Sequence, residues 1–266
     1  MLRAESVGQA PQVSKVSRRL TRPCQPDRPG KHGSAELATT ENHLIELLPR
    51  KDRLHLLAIC EPVQLVPGNV LCEPGKATRH VYFPIDGFIS LFTLVDGTSA
   101  LEVGMVGREG MLGAELALGV ATVPLHALVQ REGAAWRIGS RAFRRELAVN
   151  PALLRGINRY LYVLMAQMAA SAACLRYHLI GPRLARWLLM SQDRAQSDRF
   201  RVTHEFLAYV LGVRRVGITA AAGNLQRNGL IEYRRGALKV LDRKGLEAAA
   251  CSCYAEDRHA YTQLMH

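Results

Sequence analysis

Thr203-His-Glu-Phe-Leu-Ala-Tyr-Val-Leu-Gly-Val-Arg-Arg-Val-Gly-Ile-Thr-Ala-Ala-Ala-Gly-Asn-Leu-Gln-Arg-Asn-Gly-Leu-Ile231 reads as two helices joined at a glycine. A helix-turn-helix needs a small residue where the two helices cross, and Ala208 stands there. Four residues later Gly212 supplies a turn position that tolerates positive φ without a Cβ penalty. Six further on, Ile218 gives the aliphatic residue for the inner face of the second helix, with Leu207, Leu211, Val213, Leu225 and Leu230 on the same apolar side. The outward face opens with Arg214-Arg215, side chains that reach phosphates and guanine edges in a major groove. An αα-hairpin in an ordinary bundle has the same spacing. The next residues separate the two readings. Glu232-Tyr-Arg-Arg-Gly-Ala-Leu-Lys-Val-Leu241 is strand, basic glycine turn and strand, a β-hairpin wing behind a recognition helix.

Charge follows the motif. Residues 181–245 carry 13 Lys/Arg against 5 Asp/Glu, so +8 of the chain's net +12 sits in a quarter of its length. That is the footprint of a module that displaces counterions from nucleic acid. With 266 residues, 48% of them hydrophobic, the chain can bury two separate cores. Six cysteines scattered over this length do not read as a disulfide framework. Cys251-Ser-Cys253 is a C-x-C pair that lacks two further ligands in its neighbourhood, so no metal site is expected. The basic N-terminal residues precede no apolar stretch, and the uncharged run Tyr160–Leu175 falls short of the ~20 residues that span a bilayer. The expectation is a cytoplasmic protein with no membrane partner.

Upstream of the motif the pattern divides the chain. Residues 1–40 mix Pro, Gly, Ser, Gln and basic residues without a period and read as a disordered basic tail. An amphipathic helix is expected from Asn42 to Ile59. Within 41–149, Val63–Leu71, Val81–Phe83, Phe88–Val95, Ser99–Met105, Ala121–Val129 and Ala134–Ile138 are short β runs punctuated by Pro-Gly and Asp-Gly turns, the mark of an antiparallel β-roll. Residues 150–180 then form one long helix, N-capped by Asn150 before Pro151 and ~45 Å in length. Leu154, Ile157, Leu161, Leu164, Met168, Ser171 and Leu175 alternate at 3 and 4, the seam of a self-pairing helix. Gly181-Pro182 is expected to end that helix as a hinge, 181–245 to be the winged helix-turn-helix, and 246–266 a C-terminal tail.

β-roll, long helix, Gly-Pro break and basic winged helix-turn-helix, in that order, resemble the Crp/Fnr family of bacterial transcription regulators over residues 42–245. The resemblance implies an α+β chain with a cyclic-nucleotide-binding-like antiparallel roll at its N-terminal side. It implies a homodimer paired through the long helix, with double-stranded DNA and RNA polymerase as partners, and it implies no enzyme activity. Val81-Tyr-Phe-Pro-Ile-Asp-Gly-Phe-Ile-Ser90 is similar to the family's strand–glycine–strand segment. Members that bind cyclic nucleotides cradle the phosphate with a Gly-Glu pair and, about ten residues on, Arg-Ser or Arg-Thr. Here Gly113-Ala-Glu115-Leu shifts the glutamate by one, and Val123-Pro-Leu-His126-Ala contains no arginine. Gly113, Glu115 and His126 are therefore candidate pocket residues for an unknown effector, while a cyclic nucleotide is not expected, because its charge would lack a fork-shaped partner. Met168, Ala169 and Ala170 replace the hydroxyl residues that usually meet the base, with Ser171 close by.

Cys24 alone near the N-terminus cannot supply an iron–sulfur cysteine set, so no such cluster is expected. His80 and His126 read as core or surface histidines rather than haem ligands. In the recognition helix, family members carry Arg-Glu and then Arg four residues later; Arg215-Val216 and Ala220 stand in those places. DNA contacts are assigned to Arg214, Arg215 and Thr219, with Arg201, Arg234, Arg235 and Lys239 holding the backbone. Two rivals remain open: a ligand-independent regulator that uses the roll as scaffold, and a cupin-like metalloenzyme, which the absence of any His-x-His among nine histidines disfavours.

Overall fold

The computed structural model describes residues 42–95 and 99–265, so the expected tail 1–40 lies outside the described residues. The first helical stretch is broken by Pro49 into α1 (His43–Glu46) and α2 (Arg50–Ala58). Proline cannot donate to the preceding turn, so the single amphipathic helix expected to Ile59 becomes two. Strands β1 (Glu61–Leu65), β2 (Val70–Cys72), β3 (His80–Pro84), β4 (Phe88–Val95) and β5 (Ser99–Val106) follow. After a 3-10 turn at Ala114–Leu118 come β6 (His126–Arg131) and β7 (Gly133–Gly139). They form two antiparallel sheets, β1-β7-β3 and β2-β6-β4-β5. The run Val63–Leu71 is split at the Pro67-Gly68 turn, and its halves join different sheets.

Strand β3 and the first half of β4 are buried on both faces. Tyr82 of β3 points into the roll with Ile89, Leu91, Val106, Ala127 and Val129, while its neighbours Val81 and Phe83 point out onto helices. Those helices are α3 (Ser140–Val149) and α4 (Pro151–Tyr177), which bring Phe143, Leu153, Ile157, Tyr160 and Val163. Asn150 caps α4, its Oδ1 accepting from the Leu153 amide at 3.0 Å, and Pro151 occupies the first turn. On the other sheet Phe88 and Phe92 of β4 and Met105 of β5 pack against the C-terminal module.

That module comprises α5 (Ile180–Ala195), β8 (Arg199–Arg201), α6 (His204–Val210), α7 (Arg215–Arg227), β9 (Ile231–Arg234), β10 (Ala237–Val240) and α8 (Arg243–Ala249). Its small sheet has the order β8-β10-β9. The break before it falls at His178-Leu179, not at Gly181-Pro182: both of those residues lie in the first turn of α5. Proline is accommodated there because first-turn amides have no helical partner.

Residues 246–266 differ from a simple tail. After α8, helix α9 (Cys253–Leu264) runs back along α4. Tyr261 donates to the Glu109 carbonyl at 2.9 Å and meets His43 Nδ1 at 2.6 Å, and Met265 is buried beside Leu44 and Ile157. At the start of the fold Asn42 is fully buried: its Nδ2 donates to the Pro84 and Gly110 carbonyls at 3.0 and 2.7 Å, and its Oδ1 caps α1. Asn42→Ala should therefore lower unfolding free energy by about 2–4 kcal/mol in denaturant titration, since three buried bonds are lost together.

Candidate nucleic-acid interface

Helices α6 and α7 meet at 109°, the crossing of a helix-turn-helix. Thr203 caps α6, accepting from the Phe206 amide at 3.1 Å. Gly212 adopts φ +62° in the turn, and a Cβ there would stand 3.0 Å from Leu101 of β5. Ala208 and Ile218 are buried between the helices, with Leu207, Ala222 and Leu225. The opposite face of α7 is open: Arg214 occupies the N-cap position, and Arg215, Val216, Thr219 and Ala220 are exposed, Val216 at 73%. An aliphatic side chain this open on a recognition helix has an apolar partner to gain, such as a thymine methyl. Thr219 is more constrained than the sequence implied. Its hydroxyl donates to the Arg215 carbonyl at 3.1 Å and lies 3.0 Å from His204 Nδ1. His204 in turn packs on Tyr233 with ring centroids 4.7 Å apart, and burial, then Arg215, lowers its pKa. Thr219 thus ties the two helices together.

The wing divides the remaining basic residues. Arg235 sits at its tip with φ +50° beside Gly236, and is exposed. Arg201 and Arg234 are exposed as well, and with half-buried Lys239 they border a cleft of about 490 Å³ between the wing sheet and the roll, opposite Gln130, Arg131 and Glu132. The module is docked on the roll through a shared apolar core that joins Phe92, Ala100 and Met105 to Leu184, Leu188, Leu207 and Val210. Arg183 donates to the Leu211 carbonyl, and Arg194 pairs with Glu109 at 2.8 Å. Trp187 Nε1 donates to Glu102 Oε1 of β5 at 2.8 Å.

The long helix presents two stripes at 3-4 spacing, an inner apolar one and an exposed mixed one, and the expected seam is the inner one. Ile157 is wholly buried within the chain. Leu154 and Leu161 pack against the core that contains Phe143, and Leu164 and Met168 against the roll. Ser171 accepts from Arg186 Nη2 at 3.2 Å. Leu175 is half-buried. The exposed stripe is Asn158, Tyr162, Met165, Ala169, Ala172 and Arg176, also spaced 4, 3, 4, 3 and 4. Sequence periodicity finds both and cannot rank them.

In the roll, Gly113 and Glu115 border a cavity of about 150 Å³ walled by Leu71, Leu91, Val106, Leu112, Leu125 and Leu164. Glu115 Oε1 accepts from Thr78 Oγ1 at 2.6 Å. His126 does not line it; the residue is 2% exposed, and burial lowers its pKa. No arginine borders the cavity among the described residues. The Cys251-Ser-Cys253 pair, read as short of ligands, is joined by Cys174 and His178 at the end of α4, distant in sequence.

Roll, long helix and a helix-turn-helix with its wing make up the described chain. Residues 182–249 match the Crp-like helix-turn-helix domain, and the chain has the fold of solved Crp/Fnr regulators. One is a transcriptional regulator of that family from Eubacterium rectale, 16% identical with a TM-score of 0.61 over 79% of this chain and 99% of that one. Another is FixK2 from Bradyrhizobium japonicum, 12% identical with a TM-score of 0.62 over 73% and 98%. A third, a Crp/Fnr regulator from Thermus thermophilus, is 24% identical with a TM-score of 0.58 over 71% and 98%. No curated protein matches the sequence. Helix α9 lies beyond the matched domain. Among the described residues no single helix is long and apolar enough to cross a membrane.

The buried Glu102–Trp187 contact predicts a pH-dependent stability. Burial raises the Glu102 pKa to about 7, against the opposing pull of Trp187, Arg194 and Arg186. A carboxyl whose folded pKa is raised stabilises the folded form below its unfolded value, and that contribution disappears as pH rises through about 7. Wild type should lose melting temperature from about pH 5 to pH 8, and Glu102→Gln, neutral throughout, should flatten that slope.

Proposed function

We propose that the chain is a homodimeric, sequence-specific transcription regulator that reads DNA with the exposed N-terminal half of α7. The observation that carries this is the pairing of a buried inner face at Ala208 and Ile218 with an open Arg214-Arg215-Val216 outer face, beside a basic wing. Arg215 reads guanine and Val216 packs on a thymine methyl, so the operator differs from that of relatives with Arg-Glu at these positions. Thr219 acts by holding His204 and the turn geometry rather than by reading a base. Arg235 holds the phosphate backbone.

Two copies pair through Tyr162, Met165, Ala169 and Ala172, the exposed stripe of α4, and place two recognition helices in successive major grooves. Exposed Arg201 and Arg234 join Arg235 in holding the phosphate backbone, with Lys239 beside them at the cleft. RNA polymerase is the partner through which such a regulator acts, and the cytoplasm is where it meets DNA. The roll serves as scaffold and docking surface, not as a cyclic-nucleotide sensor. About 150 Å³ is below the roughly 300 Å³ at which ligand pockets begin, and Glu115 would face the phosphate.

Arg215→Ala should weaken binding to the best genomic fragment by roughly 5- to 150-fold in fluorescence anisotropy, matching the ~1–3 kcal/mol of a bidentate guanine contact. Arg235→Ala should weaken all sequences alike and reduce the salt slope by about 1. If wild type prefers no fragment over competitor DNA, the reading fails. Met165→Glu should shift the mass measured by light scattering from dimer to monomer. Cyclic AMP or cyclic GMP in large excess should leave the melting temperature unchanged, where a ligand at 100 Kd would add about 2.7 kcal/mol.

A further inference from the structure

The last turn of α4 carries Cys174 and His178, four residues apart and so on one helical face. The chain leaving α8 turns at Ala250 and brings Cys251 and Cys253 against that face. The Cys174 and Cys251 sulfurs are 3.5 Å apart, as are Cys253 Sγ and His178 Nδ1. All four donor atoms lie within 4.8 Å of one another. The three cysteines are buried and the histidine is half-buried, which is a closed site without an open coordination position. We propose that Cys174, His178, Cys251 and Cys253 bind one zinc ion as a tetrahedral structural site.

Size and donor chemistry select the metal. Bonds of about 2.3 Å to sulfur and 2.0–2.1 Å to nitrogen set donor atoms of a tetrahedron roughly 3.5–3.8 Å apart; the Cys174–Cys251 and Cys253–His178 pairs already stand at 3.5 Å, and a slight contraction brings the rest of the set, within 4.8 Å, to that span. Thiolate and imidazole donors favour zinc over hard cations that need oxygen. An iron–sulfur cluster, with cysteines on separate irons, would need a wider cage. Charge is accommodated as well. Three thiolates and a divalent ion leave one negative charge, and the Arg186 guanidinium, with Arg183 behind it, acts on Cys174 and Cys251. Arg186 is itself fixed by Asp257 at 2.6 Å and by Ser171 at 3.2 Å, so the cation is supplied by the surroundings of the site rather than by solvent. On binding, each cysteine gives up its thiol proton to solvent and His178 coordinates through the unprotonated Nδ1, leaving its proton on Nε2.

The position gives the ion a structural task. His178 is the C-cap of α4, directly before the joint at which the winged helix departs, and Cys253 is the first residue of α9. One ion therefore ties the long helix, the turn after α8 and the returning helix together at the joint.

Full-length protein purified in reducing buffer without chelator should contain one zinc per chain by plasma mass spectrometry. Replacement with cobalt(II) should give the visible bands of a tetrahedral site together with thiolate-to-cobalt charge transfer. Cys251→Ser and His178→Ala should bind cobalt at least tenfold more weakly, Cys72→Ser should match wild type, and chelation of wild type should lower its melting temperature by several degrees. The cobalt spectrum of wild type stands even if a variant fails to fold. Reduced wild-type chain that carries no zinc and takes up no cobalt overturns the proposal, as does a Cys174–Cys251 disulfide in place of metal. Zinc content unchanged in Cys174→Ser/Cys253→Ser overturns it equally.

Discussion

One helix has to satisfy three neighbours. The 27 residues of α4 bury Leu153, Ile157, Tyr160 and Val163 against the roll's outer sheet and α3, receive α9 along another side, and leave a 3-4 stripe open. Each wholly buried large side chain on the inner face contributes about 1.5–3 kcal/mol, so the helix cannot rotate to offer that face to a partner. The approach is close: a Cβ on Gly110 would fall 2.2 Å from the Tyr160 ring, so glycine is needed where the roll meets the helix. The free stripe is what remains for the proposed pairing with a second copy, and its position is set by the intramolecular core.

The same constraint positions the DNA-binding module. Because α4 ends at Tyr177 and α5 begins at Ile180, three segments converge within a few residues: the end of the helix, the start of the module and the turn into α9. The module then folds onto β4 and β5, where Phe92 and Tyr209 approach to 6.2 Å between ring centroids and Gly212 fits against Leu101. The outward face of β4 and β5 is thereby covered by the winged-helix module. Apolar burial holds the docked arrangement, and Glu102 and Trp187 add a polar contact across it.

The winged helix was legible because its determinants are local. Ala208, Gly212 and Ile218 fall within eleven residues, and the wing's glycine turn is read from dipeptides. Strand positions in the roll were legible from alternation and Asp-Gly turns, though Pro49 and Pro67-Gly68 divided elements that composition alone ran together. Which stripe of α4 faces inward was not legible, since Ile157 and Tyr162 belong to equally regular 3-4 patterns and only tertiary packing ranks them. That Arg201, Arg234 and Lys239 also border a cleft against the roll is a fact of docking, which composition does not carry. The cysteine–histidine cluster was invisible for a similar reason. Cys174 and His178 read as part of an apolar helix, and only the return of α9 brings Cys251 and Cys253 to them.

Hydroxyl-radical footprinting of the full-length chain on its tightest genomic fragment tests the central claim most directly. Two related protected patches, centred one helical turn or about 34 Å apart on the same face of the duplex, are the expected result. A single patch without dyad symmetry, or protection spread evenly along the fragment, would contradict a paired reader built on the exposed stripe of α4 and the open face of α7.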